Sequence, residues 1–366
     1  MHKFYTASYD ASIYLQQPEQ NAGRDQILEV GKLYYGASNI AEPVMDIARS
    51  LIKFDITPIS ESIRNGDISG SWKAFINLKS ANSEEIPLEY TIYANAVSQS
   101  WSMGTGTKFD NMSSDGVSWY YRDGSSKWLD LTSSYSPGSD TGSIKSSGGG
   151  TWYTASMASQ SFSNEPDDIR MDITNILNLW VSGSLPNNGI ILHHHTSASL
   201  YTDINDYGVL KFFSKETGTI YQPKLELVWN DFTFSSSLSI VTGSAEDGYK
   251  VVLTNLKNEY QKDSKIKIRV KGRDAYPSKT FGTTFAYDQN KYIPITSYYQ
   301  LEDYITGEII FPFGDYTKIS CDNTSNYFIM DLNSLATNRT YKLKLKIVES
   351  RISTLIDDKL IFQIID

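Results

Sequence analysis

Two stretches alternate apolar and charged residues so strictly that they suit only a strand with one dry face and one wet face. They are Lys265-Ile266-Lys267-Ile268-Arg269-Val270 and Tyr341-Lys342-Leu343-Lys344-Leu345-Lys346-Ile347-Val348. Side chains on a strand point alternately to opposite faces, so each stretch puts its aliphatic residues on one side and its cations on the other. A one-sided antiparallel sheet follows. Shorter β-rich runs fill the first part of the chain, among them Lys73–Leu78, Leu88–Tyr93, Leu210–Phe213 and Lys224–Trp229. Turn residues separate them, which is the spacing of a sandwich or barrel. The chain is therefore expected to be all-β. One helix is expected near 172–181, because Ile173, Ile176, Leu177 and Trp180 repeat at helical spacing between Asp172 as N-cap and Gly183 as stop.

A length of 366 residues exceeds one compact core, and the pattern changes near Asn230. Two domains are expected, 1–229 and 230–366, the second with a further division near Tyr292. In the second domain Leu335-Ala336-Thr337-Asn338-Arg339-Thr340-Tyr341 is similar to the tyrosine corner of immunoglobulin-like sandwiches. An Ig-like domain is expected there.

Composition narrows function by exclusion. Net charge is −9 without basic clusters, which argues against nucleic-acid binding. Cys321 is the only cysteine, so there is no intrachain disulfide and no cysteine-rich zinc site. The polar opening Met-His-Lys-Phe-Tyr-Thr-Ala lacks the apolar segment of a signal peptide, and no apolar run is long enough to cross a membrane. Synthesis in a cytoplasm without membrane insertion is expected. Neither a nucleophile elbow nor a phosphate-binding loop occurs, so the chain is read as non-enzymatic.

Four stretches in order carry a resemblance. They are Arg49-Ser50-Leu51-Ile52-Lys53-Phe54-Asp55-Ile56, Trp101-Ser102-Met103-Gly104-Thr105-Gly106-Thr107, Asp115-Gly116-Val117-Ser118-Trp119, and Trp180 followed by Asn187-Asn188-Gly189-Ile190-Ile191-Leu192. Residues 1–229 thereby resemble the DNRLRE-type, carbohydrate-binding-module-like β-sandwich domain. The chain departs from that pattern in an insertion over 34–47 and in a Ser/Gly-rich stretch after Leu131. The resemblance implies a jelly-roll-like sandwich of a kind that occurs attached to polysaccharide-degrading or cell-surface proteins. The region around Tyr298-Tyr299-Gln300 and Ile309-Ile310-Phe311-Pro312-Phe313 resembles structural proteins of large contractile-tailed phages. That implies a virion component in the tail, baseplate, neck or head surface, docking onto other virion proteins and forming a homo-oligomer. The alternative is an adhesin that contacts a host-surface glycan.

Candidate site residues follow from these readings. Trp101, Trp119, Trp128 and Trp152 are candidates for sugar stacking, with Trp101 and Trp119 pinning loops and Trp128 and Trp152 more exposed. Tyr135 and Ile144 are the apolar residues of the Ser133–Gly150 stretch, which a neighbouring subunit is expected to hold. His193 and His195 share a strand face and form a candidate metal pair, against the plainer reading of a surface or interface strand. No cofactor is expected. Calcium is a second candidate ion, through Asp167, Asp168 and Asp172 or Asp203 and Asp206. No EF-hand loop frames those residues, and the same carboxylates are candidates for glycosidase acids.

Overall fold

The computed structural model describes residues 1–35, 44–68, 70–84, 86–128, 136–137, 148–163, 168–194, 205–233, 239–242, 248–276, 290–349 and 352–365. The protein is all-β, and its chain divides into two compact units, His2–Val228 and Trp229–Asp366, with Met1 grouped in the latter.

The first unit begins with β1 (His2–Thr6), β2 (Tyr9–Tyr14), β3 (Ile27–Tyr35) and β4 (Val44–Lys53). After helix α1 (Thr57–Arg64) come β5 (Trp72–Leu78), β6 (Ser80–Glu84), β7 (Glu89–Val97), β8 (Ser136–Pro137), β9 (Thr151–Ser163) and β10 (Ile169–Asp172). Helix α2 (Thr174–Val181) precedes β11 (Ile190–His193), β12 (Gly208–Phe213) and β13 (Lys224–Trp229). Four strands form a sheet in the order β1-β13-β5-β10, and the others form a nine-stranded sheet, β6-β12-β3-β4-β11-β7-β9-β8, with β2 added beside β4. The chain passes repeatedly from one sheet to the other, as a jelly-roll-like sandwich requires.

Alternation on β4 sets the two faces of the larger sheet. Ile47, Arg49 and Leu51 point to one side, and Ala48, Ser50 and Ile52 to the other. The first side carries an aromatic cluster in which Trp119, Trp128 and Trp152 pack with Ile13, Leu51 and Ile191. Arg49 is buried there. Its guanidinium lies 4.8 Å from the Trp119 ring centre and 5.3 Å from that of Trp152, and it donates to the Gly149 carbonyl at 2.6 Å. Stacking and the carbonyl compensate the buried charge.

Helix α2 buries Ile176, Leu177 and Trp180, the stripe read from the sequence. Its cap lies one residue later than expected. Ile173 is the N-cap, while the Asp172 carboxylate accepts from the Thr174 amide (2.9 Å) and hydroxyl (2.5 Å) and so shapes the lead-in. Helix α1 was not anticipated. Pro58 in its first turn fits helix initiation, and Ile59 is the residue it buries.

The second unit contains β14 (Tyr249–Leu253), β15 (Glu259–Gln261), β16 (Lys265–Asp274), β17 (Ser297–Asp303) and β18 (Ile309–Phe311). It ends with β19 (Ser320–Cys321), β20 (Asn326–Asp331), β21 (Thr340–Glu349) and β22 (Ile352–Ile365). The sheets are β14-β16-β20-β19 and β15-β22-β21-β17-β18, with β15 parallel to β22. This is the strand order of an immunoglobulin-like sandwich. The division expected near Tyr292 is corrected. Strand β16 before it pairs with β20 after it, and Asn326 binds both backbone groups of Ile293, so one core spans the position.

The tyrosine corner is present. The buried Tyr341 hydroxyl accepts from the Ala336 amide at 2.9 Å and donates to the Ala336 carbonyl at 3.1 Å. Tyr341→Phe keeps the ring and strands both backbone groups, so unfolding free energy of this unit is expected to drop by about 1–3 kcal/mol. Denaturant titration checks this, and an unchanged midpoint would show that the corner is dispensable.

Candidate functional site

Three of the sequence stretches singled out above converge on the first unit around one loop, residues 98–128. Its organiser is Asn21, which is fully buried. The Asn21 amide nitrogen donates to the Met103 and Val117 carbonyls, each at 2.8 Å. Its carbonyl oxygen accepts from the Gly106 amide at 2.8 Å and the Gly23 amide at 3.2 Å. All four capacities of one side chain are thus spent on backbone. The glycines follow from that closeness. Gly104 has φ +77°, and a Cβ on Gly116 would meet the Gly104 backbone.

Fixed in this way, the loop forms one side of an open groove of about 640 Å³. Trp101 and Tyr9 supply its aromatic surface, with ring centres 6.5 Å apart at 72°. Trp101 is half-buried and its indole donates to the Asn188 carbonyl at 2.7 Å, so its orientation is set. Tyr9 is 49% exposed. Arg24, Lys53, Asp115, Lys215 and Glu216 add charge. Asp115 is already occupied, accepting from the Thr105 hydroxyl (2.5 Å) and amide (3.1 Å) and from the Ser113 hydroxyl (2.9 Å). The Thr105 bonds hold its carboxyl below the usual carboxylate range. Glu216 pairs with Lys215 at 3.1 Å. Arg24 and Lys53 make no ion pair among the described residues, so the groove's open charge is positive.

The Lys215 wall is held from beneath. The Asp10 carboxylate accepts from the Lys215 amide at 2.6 Å, while its other oxygen is buried without a hydrogen-bond partner. Burial pushes the Asp10 carboxyl up to about 7, against the pull of that amide and the Lys215 charge.

The structure places the tryptophans differently from the sequence expectation. Trp119, Trp128 and Trp152 are 0%, 3% and 2% exposed and are core residues, so their faces cannot stack on a sugar. Trp128 and Trp152 are corrected in particular. They flank the Ser/Gly stretch, yet Trp128 donates to the Ser118 carbonyl and Trp152 lies between Arg49 and His193. Of the four, only Trp101 reaches the groove. Tyr135 and Ile144 lie outside the described residues.

His193 is also corrected. It is buried on a central strand, its ring stacks 4.6 Å from Trp152, and its Nε2 is 3.0 Å from the Asn95 amide oxygen. A surface or interface strand is ruled out for it, and so is a metal site that opens to solvent. His195 lies outside the described residues, as do Asp167 and Asp203. Asp168 pairs with Lys79, Asp172 shapes the helix start, and Asp206 accepts from the Tyr34 amide. Around Lys108 the acids Asp25, Glu29 and Asp46 gather, but the Lys108 ammonium sits 2.7 Å from Glu29 and supplies the cation. Among the described residues no group of three metal-ligating side chains is assembled. Cys321 is buried, and burial followed by the charges of Asp322 and Asp231 pushes its thiol up to about 12, which leaves it unreactive.

Sequence reasoning missed Tyr9, Asn21, Arg24, Lys53 and Lys215. Each is an ordinary residue in its own segment and gains its role only through the fold.

No protein-family model matches the chain, and no curated protein does. Among solved structures it is similar to a DUF4785 family protein from Legionella pneumophila, at 10% identity over 100% of this chain and 65% of that one. The TM-score is 0.19, and the chain spans less than two thirds of that protein's length. A likeness of that degree carries no argument.

Proposed function

We propose that the chain is a non-enzymatic component of a tailed-phage particle whose first unit holds a polysaccharide in the Tyr9–Trp101 groove. The observation that carries the reading is the groove itself. It offers one fixed indole, one exposed phenol ring and a polar rim on an open surface. Sugars present apolar C–H faces and a ring of hydroxyls, and an aromatic surface edged by polar groups matches both. Arg24 and Lys53, which make no ion pair among the described residues, favour chains that carry carboxylates. General-acid catalysis by Asp115 is disfavoured because its carboxylate is tied down by three hydrogen bonds and kept ionised, so it holds no proton to donate. The phage assignment rests on the sequence resemblance of the second unit.

The test is affinity electrophoresis in gels that contain neutral glucans, mannans, polyuronates or lipopolysaccharide. Retardation is expected in at least one, strongest with the polyuronates. Trp101→Ala is expected to abolish it, with far-ultraviolet circular dichroism unchanged. Unretarded migration in every gel would refute the reading.

A second reading, pure assembly through protein docking, is favoured by one feature of the second unit. Tyr304, Ile305 and Ile309 stand exposed around the β17–β18 turn. Apolar side chains gathered at a turn suit a protein contact.

A further inference from the structure

The groove does not end at Trp101. Beyond Thr105, which lines both, the surface continues into a second hollow of about 510 Å³ edged by Thr107, Phe109, Asp110, Asn111 and Ser113. Phe109 is 86% exposed, the highest value for a large apolar side chain among the described residues. An exposed ring is unexceptional on a mobile tip, but this tip has a rigid base. The Lys108 amide faces both oxygens of Asp25 at 3.2 and 3.1 Å. The Lys108 ammonium binds Glu29 and lies 4.2 Å from the Tyr14 ring centre and 5.4 Å from that of Phe109. On the far side the Asn21 backbone N–H donates to the Ser113 carbonyl at 2.9 Å, and inside the tip the Thr107 hydroxyl donates to Asp110 at 2.6 Å. Only residues 109–112 project between these anchors. A fixed base lowers the entropy lost when the ring is covered, which is the benefit of preorganisation.

Resting on the reading of the groove as a polysaccharide site, we infer that Phe109 is the stacking platform of a second sugar subsite. The occupant is a further part of the same chain, crossing Thr105 from the Trp101 surface. Continuity through Thr105 supports this occupant, and so does the chemistry of the hollow, an aromatic face beside hydroxyl, amide and carboxylate groups. The protein then recognises several consecutive sugars and not one terminal residue.

The experiment is calorimetric titration with oligomers of two and six sugars, prepared from the polysaccharide that retards the protein most. The hexasaccharide is expected to bind about tenfold tighter than the disaccharide. Phe109→Ala should bring the hexasaccharide down to the disaccharide level, leave disaccharide affinity unchanged and leave the melting temperature unchanged. Trp101→Ala should weaken both. Equal affinities for the two lengths, or a hexasaccharide advantage that survives Phe109→Ala, would overturn the inference and leave the groove reading standing. A change in oligomeric state with the length dependence intact would assign Phe109 to a protein contact and also overturn it. Absence of binding by the unaltered protein, or binding indifferent to Trp101→Ala, would sink the groove reading and this inference with it.

Discussion

Asp10→Asn is expected to remove a pH-dependent stability loss of about 4 kcal/mol. Its carboxyl is pushed from 3.8 to about 7 in the folded protein, and each unit is worth roughly 1.4 kcal/mol. Well below pH 4 the group is neutral in folded and unfolded chains, and burial costs nothing extra. Between about pH 4 and 7 the unfolded chain has released the proton and the folded chain still holds it. Stability therefore falls as pH rises through that window and levels off above it. Of the two nearest charges, Lys215 favours the ionised carboxyl and Glu216 opposes it, and because they pair with each other Lys215 is not free to compensate it fully. Asparagine stays neutral and retains an oxygen for the Lys215 amide. Denaturant titrations from pH 4 to 8 should show the variant equal to the original protein at the acid end and more stable at the alkaline end. Parallel curves would mean that Asp10 titrates normally.

Asn21→Ala is expected to cost about 3 kcal/mol or more. Alanine leaves the Met103 and Val117 carbonyls and the Gly23 and Gly106 amides without the partner that Asn21 provides. Each buried group left unsatisfied costs about 1–3 kcal/mol, part of which water entering the vacated space recovers. Because the loop bearing Trp101 hangs on these bonds, polysaccharide retardation should vanish even in protein that remains folded. Hydrogen exchange at the Gly23 and Gly106 amides reads the local effect directly, and both should exchange much faster. A loss below about 1 kcal/mol, with those amides still protected, would show that the loop is held by other contacts.

The sequence made some of this architecture legible and concealed the rest. Strand alternation at Lys265–Val270 and Tyr341–Val348 is local, and so is the tyrosine-corner signal, so the Ig-like unit could be read from short windows. Helix α2 was equally readable from four apolar positions. The burial of Trp128 and Trp152 was not. It depends on Arg49, His193 and Ser118, which belong to other segments, and a Ser/Gly-rich neighbourhood says nothing about them. The groove was half legible. Trp101 stands in a conspicuous Trp-x-x-Gly-Thr-Gly-Thr stretch, whereas Tyr9, Arg24, Lys53 and Lys215 come from four separate segments. The same holds for Asn21, which looks like any loop asparagine until its four backbone partners are in place.

Among the seven tryptophans, Trp101 is the one that can report a ligand in the groove. The most direct test is a nitrogen-15 correlation spectrum recorded while the retarding polysaccharide's hexasaccharide is added. The account requires the Trp101 indole and the amides of Gly104–Thr107 to shift with saturation, while the indoles of Trp119, Trp128 and Trp152 stay in place. Shifts confined to residues 229–366, or a spectrum that does not change, would contradict it.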